Sequence, residues 1–329
     1  MRRLEPTVVL TRSDVRRLLS LSDCVAAVER ALRRQGEGLD PPPGVLGVSV
    51  ADGGFHAKAA VLGDYFATKL NANFPLNPRR GDLPAIQGAV LLARVADGRL
   101  LAVMDSIEIT MQRTAAATVV AARALARADA ATMTVCGCGT QGAIHVEALA
   151  TACALQRVFV YDLAPDAAAR LARDAAERLG LVVEPTRDLA DAVRASDIVV
   201  TCTPSRAPLI HADAVRPGTF IAAVGADSGD KQELEPRLLA RATVVVDSLA
   251  QCAEIGELHH ALRAGAMTPA AVHAELGQVV AGRRSGRTSA AEITVFDSTG
   301  TAVQDAAAAA LVYERARAKG LGMPVELAS

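Results

Sequence analysis

A lysine at position 69 sits in an apolar stretch, Tyr65-Phe-Ala-Thr-Lys-Leu70. Burying an ammonium is costly unless it is paired. Such a lysine either holds a carboxylate or carbonyl oxygen of a small molecule or lies on an exposed face. Arg113, in Ile109-Thr-Met-Gln-Arg-Thr114, opens an alanine-rich run. Its guanidinium either clamps a carboxylate through two parallel hydrogen bonds or lies at the surface. Asp227 ends Val224-Gly-Ala-Asp227, just past an apolar segment. A carboxylate there either moves a proton to or from an amine or a water, or caps a turn. His56 and Lys58 alternate along one strand and share a face, which directs them toward one pocket. His259 and His260 are adjacent, which is poor spacing for joint metal ligation, and they read as structural. Cys136 and Cys138 have no matching second pair, so no metal site is expected.

Glycines form the second chemical signal. Thr132-Met-Thr-Val-Cys136 reads as a strand, Gly137-Cys-Gly139-Thr-Gln-Gly142 as a tight turn entering a helix, and Val158-Phe-Val-Tyr-Asp162 as a second strand ending in an acid. Gly137 permits the sharp turn. Gly139 keeps no side chain between the backbone and a pyrophosphate, and Gly142 lets the helix pack close to the strand. Asp162 falls where a carboxylate accepts hydrogen bonds from ribose hydroxyls. Strand, turn, helix, strand and acid in this order point to a dinucleotide site. The alternative is an ordinary glycine-rich strand-to-helix turn. Asp162 would repel a 2′-phosphate, and Leu163-Ala-Pro165 offers no arginine to hold one. NAD(H) is therefore favoured, with NADP(H) possible.

These residues need elements to position them. Apolar spacing predicts helices over 13–19 and 22–34, with Ser13 and Ser22 as N-caps. Strands are expected over 45–50, 55–61, 65–70, 89–95 and 100–104, with Asp52-Gly-Gly54 and Asp97-Gly98 as turns. Two helices followed by a meander without helical crossovers make an α+β unit. A helix over 109–127 leads into alternating strands and helices, which imply a parallel sheet. Ligands sit beyond the carboxyl ends of such strands, which puts 201–205, 225–227 and Asp247 along one cleft edge. Helices are expected over 257–264, 269–280 and 302–319. Gly282-Arg-Arg-Ser-Gly-Arg287 reads as a solvated basic turn. The expected domains are 1–120 together with a C-terminal helix in 301–329, and 121–300.

Composition sets the outer limits. With 329 residues the chain is long enough for two domains, and its 51% hydrophobic content suits a globular core. A formal net charge of −1 and only 3% aromatic residues argue against nucleic acid or an anionic membrane as partner. No apolar run is long enough to span a bilayer, and Met1-Arg-Arg-Leu-Glu-Pro6 lacks the apolar core of a signal peptide. The six cysteines are scattered and read as reduced thiols of a cytoplasmic protein.

Six segments in order, covering nearly the whole chain, resemble the ornithine cyclodeaminase/mu-crystallin family. They are 69–77, Leu83-Pro-Ala-Ile-Gln-Gly88, Asp105 through Ile109-Thr-Met-Gln-Arg-Thr-Ala115, the glycine turn, 225–234 and 296–305. The resemblance implies an α/β protein that pairs a Rossmann dinucleotide-binding domain with an α+β substrate-binding and dimerisation domain in a homodimer. It implies hydride transfer between a nicotinamide and the α-carbon of a small amino or imino acid. By resemblance, Lys69 and Arg113 bind the substrate carboxylate, Asp227 is the acid/base, and Thr299 sits beside the substrate. Thr114, Thr140, Gln141, Asp162, Thr203, Val224, Lys231 and Ser298 would contact the dinucleotide. Cyclodeaminases of the family carry an arginine soon after the prolines near 42 and a threonine where this chain has Ala85; Pro43-Gly-Val-Leu46 has no arginine. The expected activity is thus NAD(P)H-dependent reduction of a cyclic imino acid, or the equivalent amino-acid dehydrogenation. Ornithine cyclodeamination and a non-catalytic, crystallin-like role are the alternatives. Joint retention of Lys69, Arg113 and Asp227 speaks against the latter.

Overall fold

The structure, a computed structural model, describes residues 6–74, 76–81 and 83–327. Residues 1–5, on which the signal-peptide reading rested, lie outside the described residues. Contacts divide the chain into two compact units, Met1–Ala116 with Thr301–Ser329, and Ala117–Gly300.

The first unit opens with helices Arg12–Leu18 and Leu21–Glu37. Their N-caps are Thr11 and Ser20, not the expected Ser13 and Ser22. The Asp14 N–H donates to the Thr11 hydroxyl (3.3 Å) while the Thr11 N–H donates to the Asp14 carboxylate (3.0 Å). This reciprocal box satisfies two otherwise orphaned donors and fixes the helix start two residues earlier. Ser20 accepts from the Asp23 N–H in the same way. The second helix ends at Gly38, whose φ of 72° is left-handed.

A seven-stranded sheet follows, in the order Met323–Val325, Thr7–Leu10, Leu100–Asp105, Ile86–Arg94, Tyr65–Asn73, Gly53–Leu62, Gly44–Val50. The five expected meander strands are all present. The first two strands in that order were not anticipated, because four and three residues are too few to show a period. Thr7–Leu10 runs parallel to Leu100–Asp105, so the sheet is more than a meander.

Register decides which residues share a face. Lys58 pairs with Lys69, and Lys69 with Val90. A period of two then puts His56, Lys58, Lys69 and Val90 on one side. The alanine-rich helix Ala302–Lys319 packs on strands Gly53–Leu62 and Tyr65–Asn73. Ala306, Ala308 and Ala309 are fully buried, and their small side chains allow close approach. The same register sends Leu46, Val48, Phe55, Phe66, Leu70 and Leu91 to the opposite face, where all six are exposed.

The second unit is built on eight parallel strands, in the order Ala274–Glu275, Thr243–Val246, Thr294–Asp297, Phe220–Ala223, Ile198–Thr201, Thr132–Cys136, Arg157–Tyr161, Val182–Pro185. Strand order reverses between Thr132–Cys136 and Ile198–Thr201, which is the switch point where open sheets bind ligands. One expectation fails here and another holds only in part. Residues 269–280 are not one helix but a 3-10 turn, Pro269–Ala271, a strand, Ala274–Glu275, and a short helix, Leu276–Val280. Sheet pairing wins over helix propensity: the His273 N–H donates to the Val244 carbonyl, and Glu275 both caps the short helix and accepts from the Leu249 N–H. The basic loop is a solvated turn over 282–285, all exposed, but not at its end. Arg287 turns inward and donates to the carbonyls of Leu125, Ser289, Glu292 and Thr219 and to the Thr294 hydroxyl (2.9 Å).

Replacing Arg287 with methionine keeps the aliphatic stem but strands several of those acceptors. The expected cost is about 2–3 kcal/mol, the scale of unmet buried polar groups, read as a lower urea midpoint with unchanged slope.

Candidate functional site

In the first unit, Lys69 and Arg113 are 3% and 6% exposed, which removes the surface reading for both. The chain has only four lysines, Lys58, Lys69, Lys231 and Lys319, and the register sets two of them opposite each other. Arg113 comes from helix Ser106–Leu125. What brings the cations together is Asp305, 1% exposed, on helix Ala302–Lys319. Lys69 Nζ donates to Asp305 Oδ1 at 2.8 Å, and Arg113 Nε donates to the same oxygen at 2.9 Å. Lys69 also donates to Thr110 Oγ1 (3.2 Å), and Arg113 Nη1 to Gln304 Oε1 (3.0 Å).

Burial brings the Lys69 ammonium down to about 7. Asp305 opposes this, and Arg113 and Lys58 add to it. Burial also works against the Asp305 charge, but the two cations hold its carboxyl below the ordinary range. Lys69 therefore sits near its titration point at neutral pH. Asp305 was missed as a site residue in the sequence. Its signal was an acid standing alone in an alanine-rich helical run, Ala302-Val-Gln-Asp-Ala-Ala-Ala-Ala-Ala310.

In the second unit, the glycine turn has the expected form. Gly137 has φ 99°, outside the range most L residues adopt. A Cβ at Gly142 would lie 1.9 Å from the Gly137 carbonyl oxygen, whereas one at Gly139 would meet nothing within 4 Å. The helix Thr140–Ala152 thus starts against the strand with open space over its first turn. Asp162 is held by two backbone donors, Cys138 N–H and Ala164 N–H, each at 2.8 Å. A cleft of about 440 Å³ lies at the switch point, lined by Gly137, Gly139, Asp162, Thr203 and Ser205 among others. Open glycine backbone, free space at a helix N-terminus and a fixed acid fit a dinucleotide.

The cleft edge is shaped by buried carboxylates. Glu233 accepts from the N–H groups of Thr203 (2.6 Å) and Gly225 (3.0 Å), tying together the ends of two strands. Glu257 accepts from Glu233 and Leu234 (2.7 and 3.0 Å), and Asp297 from Glu257 and Leu258 (3.1 and 2.8 Å). Burial pushes Asp297 up to about 7 and raises Glu233 and Glu257 as well. Asp247, expected along the cleft edge, is instead fully buried. It accepts from the hydroxyls of Ser298 (3.0 Å) and Thr299 (3.2 Å) and from the Gly300 N–H (2.6 Å), because the turn after the last strand needs an anchor.

The remaining expected residues divide. Asp227 is exposed and ion-paired with Lys231 at 2.5 Å. Val224 donates its N–H to the Thr201 carbonyl. The Thr114 hydroxyl donates back to the Thr110 carbonyl at 2.7 Å. Thr140 is exposed and Gln141 half-buried at the start of the helix after the glycine turn. His260 Nε2 lies 2.7 Å from the Lys231 carbonyl and His259 Nδ1 3.2 Å from that of Ala253, in keeping with a structural reading. All six cysteines are free thiols. Among the described residues no helix is long and apolar enough to cross a membrane.

Comparison with known proteins gives the family and the fold. A sequence profile of the ornithine cyclodeaminase/mu-crystallin family matches residues 5–320. An archaeal alanine dehydrogenase, solved as a dimer with bound NAD, superposes with a TM-score of 0.94 at 37% identity, covering 98% of this chain and 99% of its own. The Δ1-pyrroline-2-carboxylate reductase of Thermococcus litoralis, solved with NADH and L-proline, gives a TM-score of 0.92 at 31% identity, covering 97% and 100%. The iminosuccinate reductase of Paracoccus denitrificans is 39% identical over 275 residues, 84% of this chain and 83% of its own. With the profile spanning nearly its whole length and relatives this similar, the chain belongs to the ornithine cyclodeaminase/mu-crystallin family.

Proposed function

We propose that this protein is an NAD(H)-dependent oxidoreductase acting on the CH–NH or C=N bond of a small amino or imino acid. The observation that carries the reading is the buried meeting of Lys69 and Arg113 on one carboxylate oxygen. Two cations converging away from water form a receptor for a small carboxylate. Bound NAD(H) supplies or takes the hydride. Gly137, Gly139, Gly142, Thr140, Gln141 and Thr203 cradle its phosphates, and Asp162 accepts from the ribose hydroxyls. Thr114, Val224, Lys231 and Ser298 complete that set, with Thr299, His56 and Lys58 beside the substrate. Lys69 and Arg113 orient the substrate through its carboxylate, and Asp227, steadied by Lys231, moves the proton. Relatives named as acting on alanine, pyrroline-2-carboxylate and iminosuccinate support a compact α-imino or α-amino acid as substrate. NADH oxidation by the purified protein should be followed with pyrroline-2-carboxylate, with iminosuccinate, and with pyruvate plus ammonia. Turnover of at least one supports the assignment, and silence with all three removes it.

The same reading includes a homodimer and a cytoplasmic location. The exposed apolar sheet face carrying Leu46, Val48, Phe55, Phe66, Leu70 and Leu91 supports the dimer, as does the dimeric state of the archaeal relative.

Two outcomes follow. Lys69 is protonated below about 7 and neutral above it. The KM for the acid substrate should therefore be lowest on the acid side and rise through neutrality, while the KM for NADH stays flat over the same range. At Asp162, replacement by asparagine keeps the shape but removes the charge that repels a 2′-phosphate. The preference for NADH over NADPH should fall by about ten-fold, the scale of one charge-assisted hydrogen bond.

A further inference from the structure

The buried carboxylates of the two units are used in different ways. Glu233, Glu257 and Asp297 each spread two backbone donors over their oxygens. That is the pattern of an acid that ties down loops. Asp305 concentrates its partners instead. Its Oδ1 takes both Lys69 and Arg113, and its Oδ2 is buried with no hydrogen-bond partner among the described residues. Among the described residues Asp305 accepts no backbone N–H. What it does hold is two side chains of like charge, with their donor nitrogens separated by no more than the two bond lengths to one shared atom.

We propose that Asp305 is the positioning residue of the substrate site: its Oδ1 gathers the Lys69 ammonium and the Arg113 guanidinium so that one substrate carboxylate meets both. This rests on the imino-acid reading above. The physical reason is repulsion. Without a carboxylate between them, two cations in an apolar shell move apart, or one gives up its proton. Arginine does not deprotonate in proteins, so the lysine is the one that yields.

The charged groups facing Lys69 are Lys58 from the neighbouring strand, Arg113 from helix Ser106–Leu125 and Asp305 from helix Ala302–Lys319. Thr110 adds a neutral contact. Cys24, on helix Leu21–Glu37, lies near enough to feel Arg113 and Asp305, but burial pushes its thiol up to about 12 and it stays neutral. Among these described groups Asp305 is the negative partner of Lys69. Its loss leaves burial, Arg113 and Lys58 all acting in one direction.

The test is Asp305→Asn in the full-length protein, with two readouts. With four lysines in the chain, carbon-13 lysine labelling gives four side-chain signals, and a Lys69→Arg sample assigns the one that matters. In the wild type this signal should titrate near 7, and in Asp305→Asn clearly lower. In the assay, the KM for the imino acid should rise by about ten-fold or more, as for a weakened charge-assisted contact. Its rise with pH should begin at lower pH, and the KM for NADH should not move. An unmoved Lys69 titration, or an unchanged imino-acid KM, overturns the proposal. The magnetic-resonance readout needs no turnover. A wild type that reduces no imino acid therefore defeats the functional reading while the Lys69 titration still judges the link to Asp305. Should Asp305→Asn not fold, Asp305→Glu keeps the charge but moves the carboxyl by one methylene; an imino-acid KM within about two-fold of wild type would then count against positioning.

Discussion

Two positive charges can stay side by side in an apolar shell only if a negative charge lies between them. In this protein that constraint shapes the first unit. The sheet register brings Lys58 and Lys69 together, helix Ser106–Leu125 brings Arg113, and the alanine-rich C-terminal helix returns to deliver Asp305. The alanines around Asp305 follow from the same requirement. A helix that must place one acid against a sheet needs short side chains on either side of it, and Ala306, Ala308 and Ala309 are fully buried there. Paired helices, sheet and returning helix are thus the frame for one ionic contact linking residues far apart in the chain.

The second unit solves a different problem with similar means. Binding a dinucleotide needs backbone N–H groups and loop ends held open to solvent at fixed positions. Loops rich in glycine do not hold position by themselves. Here buried acids hold them, with Glu233 spanning the ends of two neighbouring strands and Asp247 gripping the turn at 298–300. Each acid is expensive to bury, and each recovers part of that cost through charge-assisted bonds to backbone donors. The hydroxyls of Ser298 and Thr299 belong to this scaffold as well, since both donate to Asp247.

The parts of this arrangement legible in the sequence were those written in local pattern. The Rossmann unit announced itself through Gly137, Gly139, Gly142 and Asp162, because each meets a local demand of the turn. The five meander strands and the long helices were visible through their periods. Features set by distant partners were not. Asp305 looked like one more helical acid until the sheet register placed Lys69 beneath it. Asp247 looked like a cleft residue, since its position after a strand says nothing of the Gly300 N–H that claims it. Residues 269–280 had helical composition, but the open edge of Thr243–Val246 drew part of them into the sheet. Arg287 lay among solvated-looking glycines and serines, and two of the carbonyls that turn it inward, those of Leu125 and Thr219, come from distant parts of the chain.

The scarcity of lysine has an electrical consequence. Of 35 basic residues, four are lysines, and two of those are interior. Guanidinium groups keep their charge across the whole range in which proteins survive. The outer surface therefore holds its positive charge as solutions turn alkaline, where a lysine-rich surface would gradually discharge. The positive part of the surface charge should be correspondingly insensitive to alkaline pH.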